Sequence, residues 1–100
     1  MIKAIIIDLD GTTLPRNWHQ ISEENRVALE EAGQRGVVRI LATGRSVFSL
    51  NNTLPEGLPV DYMVFSSGAG IMHWDDKEIL LTRELSAEET LDIATHLWKY

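Results

Sequence analysis

Two aspartates, Asp8 and Asp10, stand two residues apart where a run of isoleucines ends. The period-two geometry of an extended chain points both side chains the same way, with Cα atoms roughly 7 Å apart. Two carboxylates about 5 Å apart, at an effective dielectric near 20, repel by roughly 3 kcal/mol. A proton, a cation or bulk water must offset that repulsion. Alone, the pair also reads as a solvated strand end. Its context points to more, because Gly11 and Thr12 follow directly, and backbone N–H groups in such a turn can bind an anion. Thr43-Gly44-Arg45 and Ser66-Ser67-Gly68 bring further hydroxyls, amides and a cation. Thr43-Gly44-Arg45 stands at a helix N-terminus, a place suited to phosphate.

The surrounding elements must bring these three clusters to one place. Residues 2–9 form a nearly continuous β-branched run, as expected of a strand buried on both faces. A loop follows, and then a helix opened by Ser22 with two glutamates in its first turn and closed by Gly36. Its apolar stripe is Ile21, Ala28 and Ala32. A second strand over 37–42 ends at Thr43-Gly44, and a helix runs from about Arg45 to Thr53, before Pro55. Residues 60–66 make a third strand. This alternation predicts βαβ units and a parallel sheet, whose strand C-termini share one ligand-binding edge. Residues 70–74 and 78–82, split by Asp75-Asp76-Lys77, read as an antiparallel hairpin. Ser86 and Glu89 form a capping-box pattern opening a last helix, with Ala87, Leu91, Ala94 and Trp98 on one face.

Composition narrows the classes. The 100 residues carry 15 acidic and 9 basic side chains, a net charge of −6, which argues against a nucleic-acid partner. With 44% hydrophobic and 24% charged residues, the chain is globular in composition. It has no cysteine, hence no disulfide framework, zinc ribbon or thiol nucleophile. No apolar run is long enough to span a membrane, and the N-terminus lacks a signal-peptide pattern; a cytoplasmic chain is expected. His19, His73 and His96 share no ligand spacing, and Gly68-Ala69-Gly70 is not a dinucleotide fingerprint. Arg16, Arg39 and Arg83 read as solvated charges, and Asp75-Asp76 as a solvated turn. Trp74 and Trp98 read as packing residues, and Trp18 as packing or as lining the entrance beyond the first acids.

Asp8-Leu9-Asp10-Gly11-Thr12-Thr13-Leu14 resembles the first motif of the haloacid dehalogenase-like hydrolases, and Leu41-Ala42-Thr43-Gly44-Arg45 resembles the second motif of their Cof-type branch. Ser67-Gly68-Ala69 resembles a following N-G-A segment, with Ser in place of Asn. The resemblance implies an α/β fold: a partial Rossmann-like parallel sheet of three βα units, a β-hairpin, and the first helix of a cap. Residues 1–84 would belong to the core domain and 85–100 to the start of the cap. It implies a Mg²⁺-dependent phosphatase of small phosphorylated metabolites, sugar phosphates or similar. In that scheme Asp8 is the nucleophile, forming an aspartyl-phosphate, and Asp10 is the general acid and base. Mg²⁺ would be held by Asp8 and Asp10, the latter through its backbone carbonyl. Gly11, Thr12, Thr43, Gly44 and Arg45 would bind phosphate, with Arg45 either touching substrate or pairing with a nearby acid.

The family's later lysine motif and acidic pair have no counterpart here, since the lysines are only Lys3, Lys77 and Lys99. The expectation is therefore the first part of a longer protein, whose first strand becomes a sheet edge and invites self-association. Two alternatives stay open: a phosphomutase of the same superfamily, and a non-catalytic phosphate-binding or interaction fragment.

Overall fold

A computed structural model describes residues 1–14 and 20–100. Trp18, His19 and Arg16 lie outside the described residues. The elements run β1 (Ala4–Asp8), α1 (Glu23–Gln34), β2 (Val38–Ala42), α2 (Val47–Thr53), β3 (Tyr62–Phe65), β4 (Gly70–His73), β5 (Ile79–Thr82) and α3 (Ala87–Leu97), with a 3-10 turn at Ser66–Gly68. One mixed sheet has the order β1-β2-β3-β4-β5. Its first three strands are parallel, with Ala4 beside Val38 and Ile40 beside Tyr62, and the last two are antiparallel. The expected α/β architecture is therefore present.

Local chemistry explains the boundaries. Ser22, Ser46 and Ser86 each cap a helix by accepting a backbone N–H. At Ser86 the Glu89 side chain completes the capping box. Helix α1 closes in a Schellman arrangement: Gly36, at φ +76°, donates to Gly33, and Val37 donates to Ala32. Helix α2 begins at Val47 rather than Arg45, because the Ser46 side chain takes the cap position.

The core is Leu9, Leu14, Leu29, Leu41, Leu50, Leu54, Leu58, Val60, Met63, Phe65, Met72 and Trp74. Each large side chain removed from water contributes about 2 kcal/mol. Three expectations are corrected here. The helix α1 stripe is anchored by Leu29, whereas Ala28 is exposed. Strand β1 is covered on one face only: Ile5 and Ile7 pack on the core, while Ile6 stays 72% exposed, since nothing described lies over it. Trp74 packs as expected, but Trp98 is 92% exposed, because α3 buries no residue against the sheet. No described helix is long and apolar enough to cross a membrane.

Candidate active site

The C-terminal ends of β1, β2 and β3 meet at one edge of the sheet. After Asp8 the chain turns sharply. Gly11, at φ +75°, donates to Leu14 O at 2.8 Å, Leu14 donates to Leu9 O at 2.7 Å, and Thr13 Oγ1 donates to Asp8 O at 2.7 Å. Leu9, fully buried, is the apolar anchor between two exposed aspartates. The bridge between Asp10 and Leu14 uses the Leu9 carbonyl and the Gly11 N–H. The Asp10 backbone N–H and carbonyl therefore face away from it and bond to none of the described residues.

Directly after strand β2 comes Thr43, which is 6% exposed. Its N–H donates to Val64 O, and its carbonyl accepts from Ser67. The third strand end is tied to the second in the same way: Ser66 N–H donates to Arg45 O at 2.8 Å. To make these bonds Ser66 and Ser67 take φ of +48° and +55°, and Gly68 takes +100°. Left-handed backbone at two consecutive non-glycine residues is costly, and it persists where surrounding bonds over-determine it. Gly44 fits closely beneath, since a Cβ there would lie 3.3 Å from Ser67 Oγ.

The side chains converge on Asp10. Arg45 Nε donates to Oδ2 at 3.0 Å and Nη2 donates to Oδ1 at 2.5 Å, a two-pronged ion pair. Thr43 Oγ1 donates to the same Oδ2 at 3.2 Å and accepts from Arg45 N at 3.1 Å. Among the described residues, the Asp8 carboxylate has a single long contact, from Thr12 Oγ1 at 3.4 Å. The two acids thus differ in environment: one is open to an incoming group, the other held on both oxygens.

Of the seven residues singled out from the sequence, Asp10, Thr43 and Arg45 form one hydrogen-bonded group at this edge, and Asp8 and Thr12 form a separate pair beside it. Gly44 adjoins them, with an N–H that bonds to none of the described residues. Two differ from the simplest expectation. The Gly11 N–H is committed to Leu14, so Gly11 serves the turn. The Arg45 guanidinium sits on Asp10, the second of the two roles open to it. Thr53 was not singled out; its Oγ1 accepts from Arg45 Nη1 at 2.9 Å. The only signal for it was a hydroxyl at the end of the helix that Arg45 precedes.

Residues 5–100 match the family described as haloacid dehalogenase-like hydrolase. The chain belongs to that family. Among its relatives is the 5-amino-6-(5-phospho-D-ribitylamino)uracil phosphatase YcsE of Bacillus subtilis (strain 168), 38% identical over 85 residues, covering 84% of this chain and 32% of that protein. The solved structure of a haloacid dehalogenase-like hydrolase from B. subtilis is similar at a TM-score of 0.78 and 30% identity, covering 98% of this chain and 34% of that one. The subclass IIB sugar phosphatase BT4131 is similar at a TM-score of 0.70 and 27% identity, covering 97% of this chain and 37% of that one. This haloacid dehalogenase-like chain therefore spans about a third of the length of the relatives it matches.

Away from this edge, one further sequence reading changes, that of Arg39, while Asp75 and Asp76 lie exposed in the hairpin turn as expected. Arg39 is not a solvated charge: at 16% side-chain exposure it pairs with Asp61 through Nε and Nη2, and it donates to Leu29 O. Asp61 also accepts from Arg39 N at 2.8 Å. These bonds hold the Asp61 carboxyl below the usual carboxylate range and the Arg39 guanidinium above its own. In the hairpin turn, Asp76 accepts from His73 Nδ1 and from Glu78 N, which raises the His73 imidazole and lowers Asp76.

Proposed function

We propose that this chain carries the nucleophile-bearing part of a Mg²⁺-dependent phosphatase of small phosphorylated metabolites. The observation that carries the reading is the asymmetry of the two acids. Asp8 presents an accessible carboxylate, whereas Asp10 is fixed two residues away by Arg45 and Thr43. An Asp8 oxygen would attack phosphorus, and the bond from phosphorus to the ester oxygen would break. The departing oxygen takes a proton from Asp10, and the phosphoryl stays on Asp8. Asp10 then accepts a proton from water as that water attacks phosphorus, which frees Asp8 and inorganic phosphate. Asp10 Oδ2 accepts from both Arg45 and Thr43, whereas Oδ1 accepts from Arg45 Nη2. The second lone pair of Oδ1 would therefore carry the proton with the Arg45 contacts in place.

The residues present fit a divalent cation in part. Mg²⁺ prefers oxygen ligands and keeps several waters, and the Asp8 carboxylate and the free Asp10 carbonyl are two such ligands. No group of three acidic or histidine side chains able to hold a metal occurs among the described residues. When bound, the ion would offset the charge of Asp8 and of the phosphoryl oxygens. Phosphate oxygens would meet the Gly44 N–H, and the Thr12 and Thr43 hydroxyls once these turn from Asp8 and Asp10.

Phosphatase relatives such as YcsE and BT4131 support the substrate class. The division into a core part over 1–84 and the start of a cap over 85–100 is supported by α3, which buries nothing against the sheet. Cytoplasmic placement goes with this substrate class. The test is turnover of p-nitrophenyl phosphate with Mg²⁺ by the full-length protein. The wild type should turn over and Asp8→Asn should fall by at least a thousandfold; equal rates would overturn the reading.

A further inference from the structure

Thr53 lies at the last residue of α2, yet a single side chain joins it to Asp10. Arg45 holds the two Asp10 oxygens through Nε and Nη2, while its third nitrogen, Nη1, donates to Thr53 Oγ1 at 2.9 Å. The Thr53 hydroxyl is itself oriented, because it donates to Ser49 O at 2.6 Å. A hydroxyl has one proton, so that donation leaves only lone pairs toward Arg45. The direction of each bond in the series is therefore fixed.

Back-bonding of a helical Thr to the carbonyl four residues earlier is common, and it accounts for the Ser49 contact. It does not account for the bond from Arg45. Arg45 precedes the Ser46 cap and lies outside any helix or strand, so no element of regular structure sets its side chain. A planar guanidinium held on Asp10 alone can still swing about that edge. Held on a second edge by Thr53, it has a defined plane.

We propose that Thr53 is a positioning residue, which through Arg45 fixes the plane of the Asp10 carboxyl for proton transfer. The inference rests on the phosphatase reading above. Transfer to or from a leaving oxygen depends on the angle and distance of the donor, so a carboxyl free to rotate loses rate rather than substrate affinity.

The experiment uses the full-length protein with p-nitrophenyl phosphate and Mg²⁺, comparing wild type, Thr53→Val and Thr53→Ser. Valine keeps the shape and removes the acceptor; serine keeps the acceptor. Thr53→Val should lower kcat roughly three- to tenfold, as expected for one lost hydrogen bond, with KM changed less than twofold. Thr53→Ser should restore at least half of kcat. In the substrate-free proteins, solvent exchange of the Arg45 Nε–H, read by NMR, should quicken at least threefold in Thr53→Val and return in Thr53→Ser. A structural role alone would lower the melting temperature in Thr53→Val and leave both readouts unmoved. Wild-type kcat or unchanged Nε–H exchange in Thr53→Val overturns the proposal, as does failure of serine to restore. If the wild type turns over and Asp8→Asn does not, such a result overturns this inference alone. A wild type without turnover overturns the phosphatase reading and this inference with it.

Discussion

Asp61 accepts three hydrogen bonds from one residue, Arg39, and the pair links β2 to the start of β3 on the side of the sheet away from the aspartates. The carboxyl is depressed by the Arg39 bonds first, opposed by burial. A depressed carboxylate stabilises the fold above its unfolded pKa, near 4, and loses that contribution as pH falls through its lower folded value. Asp61→Asn should lower stability at pH 7 by about 2 kcal/mol, because it leaves a mostly buried guanidinium without its counter-charge. It should also flatten the acid-side fall of the melting temperature between pH 5 and 3. Thermal melts across that range check both parts. The contribution of His73 has the opposite sign: its raised imidazole stabilises the hairpin turn below pH 6.5 and ceases to do so as pH rises through its folded value. Arg39 also shows where sequence reasoning stops at this scale. A lone Arg in a strand reads as solvated, and its partner stands 22 residues along the chain, adjacent only because the parallel register sets β2 beside β3. Asp8, Asp10 and Thr43 are legible as candidates because polar residues of suitable type stand at or just beyond the C-terminal ends of successive strands. Thr53 is not, because its link runs through an arginine whose direction no spacing rule sets.

Elements were read more faithfully than individual contacts, since caps and turns are written within a few residues. Ser22, Gly36 and the Ser86–Glu89 box act where their types predict. The apolar run of β1 did not reveal that one face would stay open, because a run of isoleucines says nothing about how many layers cover it. Between elements, the tightest fit is at Gly70, which lies across from Phe65 in the β3–β4 register. A Cβ there would overlap the Phe65 ring, itself 6% exposed and unable to swing into solvent. Gly70→Ala should cost about 2–3 kcal/mol by forcing the ring off its rotamer. Gly57 is the control: a Cβ there meets nothing within 4 Å, and its backbone lies outside the left-handed region. Gly57→Ala should be neutral or stabilising by up to about 1 kcal/mol. Chemical denaturation of the two variants separates these outcomes.

At the scale of the whole molecule, the chain is more extended than its length requires. Its radius of gyration is 16.2 Å, against about 13 Å for a compact domain of this size, and its longest dimension is 51 Å. Exposed apolar side chains lie on β1 (Ile6), β5 (Ile79, Leu80) and α3 (Leu91, Leu97). Among the described residues, strand β1 pairs with β2 alone, so its outer edge presents an unpaired ladder flanked by an exposed Ile6. A polypeptide of residues 1–100 should therefore self-associate, sedimenting above the 11.3 kDa monomer. Ile6→Lys should return it to monomer and Leu91→Lys should not. The reverse result would assign the contact to α3.

The parallel register has a further consequence, for the order of events in folding. Ala4 meets Val38, and Ile40 meets Tyr62, only after a long stretch of chain has closed on itself, whereas the β4–β5 hairpin and α3 need only near neighbours. The hairpin and the last helix can flicker into being in microseconds. The two aspartates, the Thr43 hydroxyl and the Ser66–Gly68 turn have no shared existence until the slow parallel pairing is complete. A refolding chain should thus acquire anion affinity in its slowest phase, after most of its circular-dichroism signal has returned.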